Sequence, residues 1–210
     1  MYKKIIFAFF LCCASTQLFA QVEFRSGLIL SGGVSHIWNK KLDADSELIN
    51  AIFEIYEGDV KFTSYSGRNA ALGYKFRLEP KSNRFFYDID YFLGFKKYDD
   101  GYLYKLSEYM PDVWAPYKQK HFSFYTSLNP SANYRINNYF YAGVGLEPTI
   151  YSGSFAKNGF DMPFTTKMGV NLKYVELAIS YKIGFLSGMK SEYFKSLNLN
   201  DLQLQLYIPF

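Results

Sequence analysis

The chain has 210 residues, of which 49% are apolar and 20% charged, close to a globular average. Aromatic side chains reach 20%, as 21 Phe and 20 Tyr beside only 2 Trp. This excess of strand-favouring residues excludes a disordered chain. A mean hydropathy of −0.12, with one longer apolar run, excludes a multipass helical membrane protein.

Residues 1–20 read MYKKIIFAFFLCCASTQLFA: two lysines, an apolar run from Ile5 to Ala14, and a small residue at Ala20. This is the pattern of a cleaved secretory signal peptide, and the run is too short to span a bilayer of about 30 Å. Cys12 and Cys13 both fall inside it, so from Gln21 onward the chain has no cysteine for a disulfide, metal or redox site. Removing Lys3 and Lys4 leaves 21 basic against 19 acidic residues, a net charge of +2. A basic stripe for nucleic acid therefore has little support.

From Gln21 the dominant period is two, which predicts strands. The first runs over 23–37 and leads into a long connection, 38–67. That connection contains LDADSELINAIFEIYEGD, where Asp45 or Ser46 can cap a helix carrying Leu48, Ile49, Ile52, Phe53 and Tyr56 on one face, with Gly58 as a stop. Such a helix would lie on a rim, fold into a mouth or contact a partner. Strands at 68–79 and 85–96 follow, joined by the short connection 80–83. In the second, Phe85, Tyr87, Ile89, Tyr91, Leu93 and Phe95 oppose Phe86, Asp88, Asp90, Phe92, Gly94 and Lys96. The next connection, 98–117, interleaves Tyr98, Tyr102, Tyr104, Tyr109, Trp114 and Tyr117 with charge, a composition that suits carbohydrate or protein contact and equally an aromatic belt.

Strands over 118–134 and 139–151 flank a short connection at 135–138. Pro130 and Pro148 lie within them, where a missing ladder donor implies a bulge or a strand end. After the connection 152–162, strands are predicted at 163–172 and 175–185. The turn between them, Lys173-Tyr174, has no Gly or Pro. It is read from a change of parity, the apolar residues being even-numbered through Leu172 and odd-numbered from Val175. The connection 187–200 precedes a last strand in which Leu202, Leu204, Leu206, Ile208 and Phe210 alternate with Gln203, Gln205 and Tyr207.

Eight segments of this length, with long and short connections in strict alternation, fit an outer-membrane barrel whose short turns face the periplasm and whose long loops face outside. Their length suits a tilted span of about 9–11 residues. Tyr87, Tyr139, Tyr141, Tyr151, Tyr174 and Tyr207 near strand ends read as interfacial girdles. Gly73, Gly94, Gly143, Gly145, Gly169 and Gly184 on the polar face suit a narrow interior. A soluble lipocalin-like barrel, with the apolar face inward around a small ligand, is the structural rival.

The leader ending in QLFAQ, the even strand count and the terminal DLQLQLYIPF resemble outer-membrane barrels of the OmpX/OmpA size class. The hairpin HFSFYTSLNPSANYRINNYFYAGVGLEPTIY resembles that of the PorT-like outer-membrane barrel family of Bacteroidetes-type bacteria. The resemblance implies a barrel in outer-membrane lipid and lipopolysaccharide. It also implies that a terminal strand ending in Phe210 is read by the barrel assembly machinery during biogenesis.

Two constellations carry chemistry. The inferred lumen row holds Arg25, Lys75, Arg77, Lys96, Lys167 and Lys182 facing Glu23, Asp88, Asp90, Glu147 and Glu176. It is either a gated ion path or a polar plug that replaces an apolar core, and the plug is favoured because an eight-stranded barrel is just filled by side chains. His121 and Ser123 share a strand face and resemble the His-x-Ser element of lipid A deacylase barrels, with Glu147 as the nearest orienting acid. Alignment across the 135–138 turn sets Ser127, not Ser123, opposite Glu147, so His121 is read as a polar filler. Asp99-Asp100-Gly101 and the pair Asp43/Asp45 lack the spacing of a calcium loop.

The expectation is an all-β protein: a signal peptide at 1–20, then a single domain at 21–210 that is a closed, eight-stranded antiparallel up-and-down transmembrane barrel with both termini in the periplasm. Its expected role is a non-enzymatic envelope or interaction module without cofactor or metal. Loops 38–67 and 98–117 are the candidate contacts for an extracellular or envelope protein. The alternatives are a narrow channel or secretion-system component, and a lipid-modifying enzyme.

Overall fold

A computed structural model describes residues 22–43, 46–56, 60–80, 84–105, 114–153, 159–186 and 194–210. The leader at 1–20, with its two cysteines, lies outside the described residues, as do Asp45 and Gly58. The elements are β1 (Val22–Leu42), α1 (Glu47–Ile55), β2 (Val60–Pro80), β3 (Phe85–Lys105), β4 (Trp114–Arg135), β5 (Phe140–Leu146), β6 (Thr149–Gly153), β7 (Gly159–Asp161), β8 (Phe164–Leu172), β9 (Val175–Ile183) and β10 (Phe194–Pro209).

Every strand pairing is antiparallel, and the pairings return on themselves. β1 joins β2 on one side and β10 on the other, while β3 pairs with β4 and so closes the order β3-β2-β1-β10-β9-β8-β5-β4 into a ring. β5 and β6 are one wall strand interrupted at Glu147-Pro148, and β7 and β8 are another interrupted at Met162-Pro163. The ring therefore has eight members; closure removes the free edge where each strand is paired on both sides, while 60–65 of β2 pairs only with β3 and 36–42 of β1 only with β10.

The prolines interrupt the ladder without shifting it. Ser131 pairs with Gly145 on one side of the break and Ser127 with Thr149 on the other, in a single register. Leu128 N–H still donates to Pro148 O at 3.2 Å, and Glu147 N–H to Pro163 O at 2.8 Å. Pro130 stays within β4, opposite Ile89. Of the two implied outcomes Pro148 takes the strand end, between Leu146 and Thr149, and neither proline shifts the register; each costs only the bond its missing N–H group would have made.

The two-residue turn at Lys173-Tyr174 is present, with Leu172 paired to Val175. Alternation fixes the faces. Leu72, Leu93, Leu204 and Met168 point outward and are 55%, 56%, 59% and 66% exposed, whereas Lys75, Asp88, Lys182 and Gln203 point inward and are at most 2% exposed. The apolar belt is on the outside and the polar row inside. Glycines let large inward rings lie against the wall: a side chain on Gly169 would strike the ring of Tyr141, and one on Gly94 the ring of Tyr125.

Three expectations are corrected. Tyr141, Tyr151 and Tyr207 are buried inside the ring, because each has the inward parity of its strand. Tyr87, Tyr139 and Tyr174 of the same set are exposed, and Phe85, Tyr134 and Phe210 join them at the short-turn end. The connections 38–67 and 98–117 are shorter than expected, since β1 continues to Leu42, β2 starts at Val60, β3 continues to Lys105 and β4 starts at Trp114. β10 likewise starts at Phe194.

Beyond Phe95 the pattern on β3 reverses its chemistry. Lys97 and Asp99 take the outward parity, while Tyr98 and Tyr102 face in. Alternation of that sign belongs to a sheet whose outside meets water. The long-loop end of the wall is thus an aqueous-type extension of the apolar-belted section.

Candidate functional site

The interior is built in tiers. Nearest the short turns, Arg77 of β2 holds Asp88 of β3 through Nε–Oδ1 at 2.7 Å and Nη2–Oδ2 at 3.0 Å. The same guanidinium reaches Glu176 of β9 through Nη1–Oε2 at 2.6 Å and Nη2–Oε1 at 3.0 Å. Planar, five-donor geometry lets one arginine satisfy two carboxylates in this way. Lys75 Nζ lies 3.3 Å from Asp88 and 3.6 Å from Asp90, and Lys167 of β8 approaches the same two acids at 2.9 and 3.5 Å. Tyr141 Oη donates to Glu176 at 2.6 Å.

Buried charges of both signs within ion-pair distance offset one another's desolvation, which neither could bear alone. At the opening below, Glu79 takes Arg135 at 2.7 Å and Arg25 at 3.8 Å. Glu23 and Arg25 are half-exposed there.

Further along, Lys182 Nζ meets Glu147 at 2.6 Å, and Ser127 Oγ donates to the same carboxylate at 2.9 Å. Glu147 sits at the proline-interrupted point of the wall, facing in. Above this, Lys96 Nζ donates to Asp201 at 2.5 Å and to Tyr151 Oη at 3.1 Å. Gln203 Nε2 donates to Asn69, whose amide donates to Ser35. These links join β3 to β10 and β2 to both β1 and β10, so the interior is cross-tied along most of its length.

The predicted lumen row is therefore brought together, except that Glu23 and Arg25 lie at its open end. Among the described residues five members were missed: Glu79, Asp100, Arg135, Asp161 and Asp201. Asp201 has the parity of Gln203 and Gln205, so extending the terminal alternation by one step would have found it. Asp100 was hidden by reading 98–117 as a loop.

That missed residue decides the histidine. His121 Nε2 lies 2.5 Å from Asp100 Oδ1, with both groups buried. Ser123 Oγ makes no hydrogen bond among the described residues. Glu147 belongs to Ser127 and Lys182, so the three elements of a base–nucleophile–acid relay are not assembled here.

The far end of the interior is apolar. Ile37, Tyr98, Val60, Phe194, Leu197 and Leu199 form one buried cluster that also contains Ile49 and Ile52 of α1. The helix is thus applied to the mouth of the ring by its Ile49–Ile52 edge, while Leu48 and Ile55 remain exposed. Phe53 meets Phe62 edge-on at 5.6 Å, and Tyr56 lies 5.9 Å from Tyr102 and 4.8 Å from Tyr104. Ser46 occupies the N-cap position without a side-chain capping bond. Burial, with Tyr56 beside it, pushes the Tyr102 phenol up to about 12. Its ring stacks on Tyr117 at 4.9 Å, and Lys61 Nζ lies 4.3 Å above Trp114. The aromatic segment read as loop chemistry is thus spent largely on packing within β2–β4.

No family model matches the chain, and no curated protein does. Among solved structures, it is similar to Ail, the attachment invasion locus protein of Yersinia pestis, in a crystal structure with the heparin analogue sucrose octasulfate. The identity is 14% and the TM-score 0.40, over 90% of this chain and 99% of that one. A likeness of this degree leaves function to be argued from the chain's own geometry.

Proposed function

We propose that this protein is a closed β-barrel of the bacterial outer membrane, acting as a non-enzymatic envelope or interaction module through its long-loop end. One observation carries the reading: Leu72, Leu93 and Leu204 are more than half exposed, while Lys75 and Asp88 on the strands of the first two, and Lys182 on the strand next to the third, are buried. In water such an arrangement would expose the larger hydrophobic surface and bury the charges. In lipid it satisfies both faces, and ring closure satisfies the backbone, as spanning requires.

The cross-tied interior supports a plugged barrel rather than a conducting one. The extended β2–β4 wall and α1 supply the surface for an extracellular or envelope partner, and the His121–Asp100 pairing favours a structural over a catalytic role. The test is fractionation with gel migration before and after heating. The reading expects outer-membrane association and a heat-modifiable folded band. Steady single-channel steps from purified protein in planar bilayers would favour the channel reading instead, and soluble mature protein without detergent would overturn the membrane assignment.

A further inference from the structure

At its short-turn end the ring opens on a cleft of about 410 Å³ whose lining includes Glu23, Arg25, Glu79, Arg135, Asn138 and Asn171. Glu23, Arg25, Glu79, Arg135 and Asn171 share the inward parity of their strands, so the cleft lies over the interior and not on the apolar belt. A second cleft of about 550 Å³ continues from it past Arg84 and Tyr139, sharing Arg135 and Asn138. Both fall in the size range of small-ligand sites, about 300–1,000 Å³. Inward the way is nearly closed: the passage toward Arg77 and Glu176 holds about 10 Å³, room for about one water.

Two polar groups here are not used by the fold. Arg25 lies 3.7 Å from Glu23 and 3.8 Å from Glu79, and it makes no hydrogen bond among the described residues. Glu79 is 8% exposed at its side chain; Arg135 reaches its Oε2 at 2.7 Å, whereas Oε1 accepts no hydrogen bond and has Arg77 3.9 Å away. Arg25 also stands directly opposite Arg77 in the β1–β2 register, and Arg77 is taken by Asp88 and Glu176. Like charges set so repel. With Arg84, three guanidiniums line the two clefts against two carboxylates, which leaves a positive charge for an incoming anion.

We infer that this opening binds the carboxyl-terminal end of a peptide, with the terminal carboxylate on Arg25 and Arg135 and the last peptide N–H on Glu79 Oε1. Arg25 needs an acceptor and Glu79 a donor within one cleft, and the last residue of a peptide carries both. Arginine–carboxylate contacts are among the stronger hydrogen bonds, and capture of a chain end by its carboxylate is a recurrent mode of peptide recognition. The nearly closed floor suits an end group, and the second cleft gives the preceding residues a way out past Arg84. A lipid headgroup would have to reach over the wall, whereas a peptide arrives along the ring axis from the aqueous side. The inference rests on the membrane placement proposed above, which puts the short turns, and so this cleft, in the periplasm.

The test uses the chain from Gln21 onward, folded in detergent micelles, and a fluorescently labelled pool of random pentapeptides. The pool is supplied as free acids, as carboxyl-terminal amides, or N-methylated at the last peptide nitrogen. The readout is fluorescence anisotropy, with the heat-modifiable band scored on the same samples. The free acids should bind, and the amides and N-methyl forms should each bind at least about tenfold more weakly, as loss of a hydrogen bond to a charged group implies. Arg25→Gln should lose the preference for free acids and keep the folded band. Lys173→Gln, at the same end but outside the cleft, should bind as the parent does. Equal binding of free acids and amides by folded parent, or an unchanged preference in Arg25→Gln, overturns the proposal. So does displacement of the free acids by equimolar inorganic phosphate, which would make the opening a general anion site, or by short-chain phosphatidylethanolamine, which would assign it to a lipid headgroup. Free-acid binding by a chain that stays soluble without detergent would keep the site and sink the membrane reading, and with it the periplasmic placement.

Discussion

Arg77 on β2 and Glu176 on β9 are joined across the interior by two hydrogen bonds of 2.6 and 3.0 Å, although three steps of the ring separate their strands. The same guanidinium holds Asp88 on β3, so one side chain ties three strands. Arg77→Leu should therefore leave two buried carboxylates short of a partner. The expected loss is about 3–5 kcal/mol, the usual result of breaking a buried pair from one side. It would be read as a lower urea midpoint for the heat-modifiable folded form. An unchanged midpoint would mean that Lys75 and Lys167 suffice.

The outward belt should be sensitive to charge in proportion to depth. Ile89 lies midway along the outward apolar run of β3, between Phe85 and Phe95, whereas Leu103 lies on the same face beyond Lys97 and Asp99. Ile89→Arg is expected to destabilise folding into vesicles by about 2–4 kcal/mol and Leu103→Arg by about 0–1 kcal/mol. Equal effects at the two positions would remove the boundary drawn between belt and extension.

Much of this arrangement was legible in alternation. The parity change at Leu172/Val175 located a turn with no turn-forming residue, and alignment across 135–138 set Ser127 against Glu147, which are in fact hydrogen-bonded. The upper wall was not legible for two physical reasons. Above Phe95 the inward residues become aromatic and the outward ones charged, so a strand there carries the opposite sign from the same strand below. Register shifts between Ile37 and Asn39 and between Tyr65 and Arg68 also break the period in β1 and β2. A two-residue period with an interrupted phase reads as loop. Tyr141, Tyr151 and Tyr207 were misplaced because nearness to a strand end was used where parity should have decided, as Tyr141 shows beside the exposed Phe140.

Helix α1 should be separable from the ring. Ile49 is fully buried in the apolar cluster at the mouth, and Ile49→Asn places an amide there without a partner. The expected outcome is rapid amide exchange and protease cleavage within 47–55, with the heat-modifiable ring retained. Loss of the folded band instead would show that the helix is required for closure rather than covering a mouth already formed.

The central claim is the direction of the two faces, and the absence of cysteine after Cys13 makes it directly measurable. Single cysteines at Phe92, Leu93, Gln203 and Leu204 would be spin-labelled in vesicles and tested for collision with oxygen and with a water-soluble nickel chelate. The account predicts that Leu93 and Leu204 are accessible to oxygen and shielded from the chelate, with Phe92 and Gln203 shielded from both. Labels at Leu93 and Leu204 that meet the chelate freely, on protein that stays soluble without detergent, would contradict it.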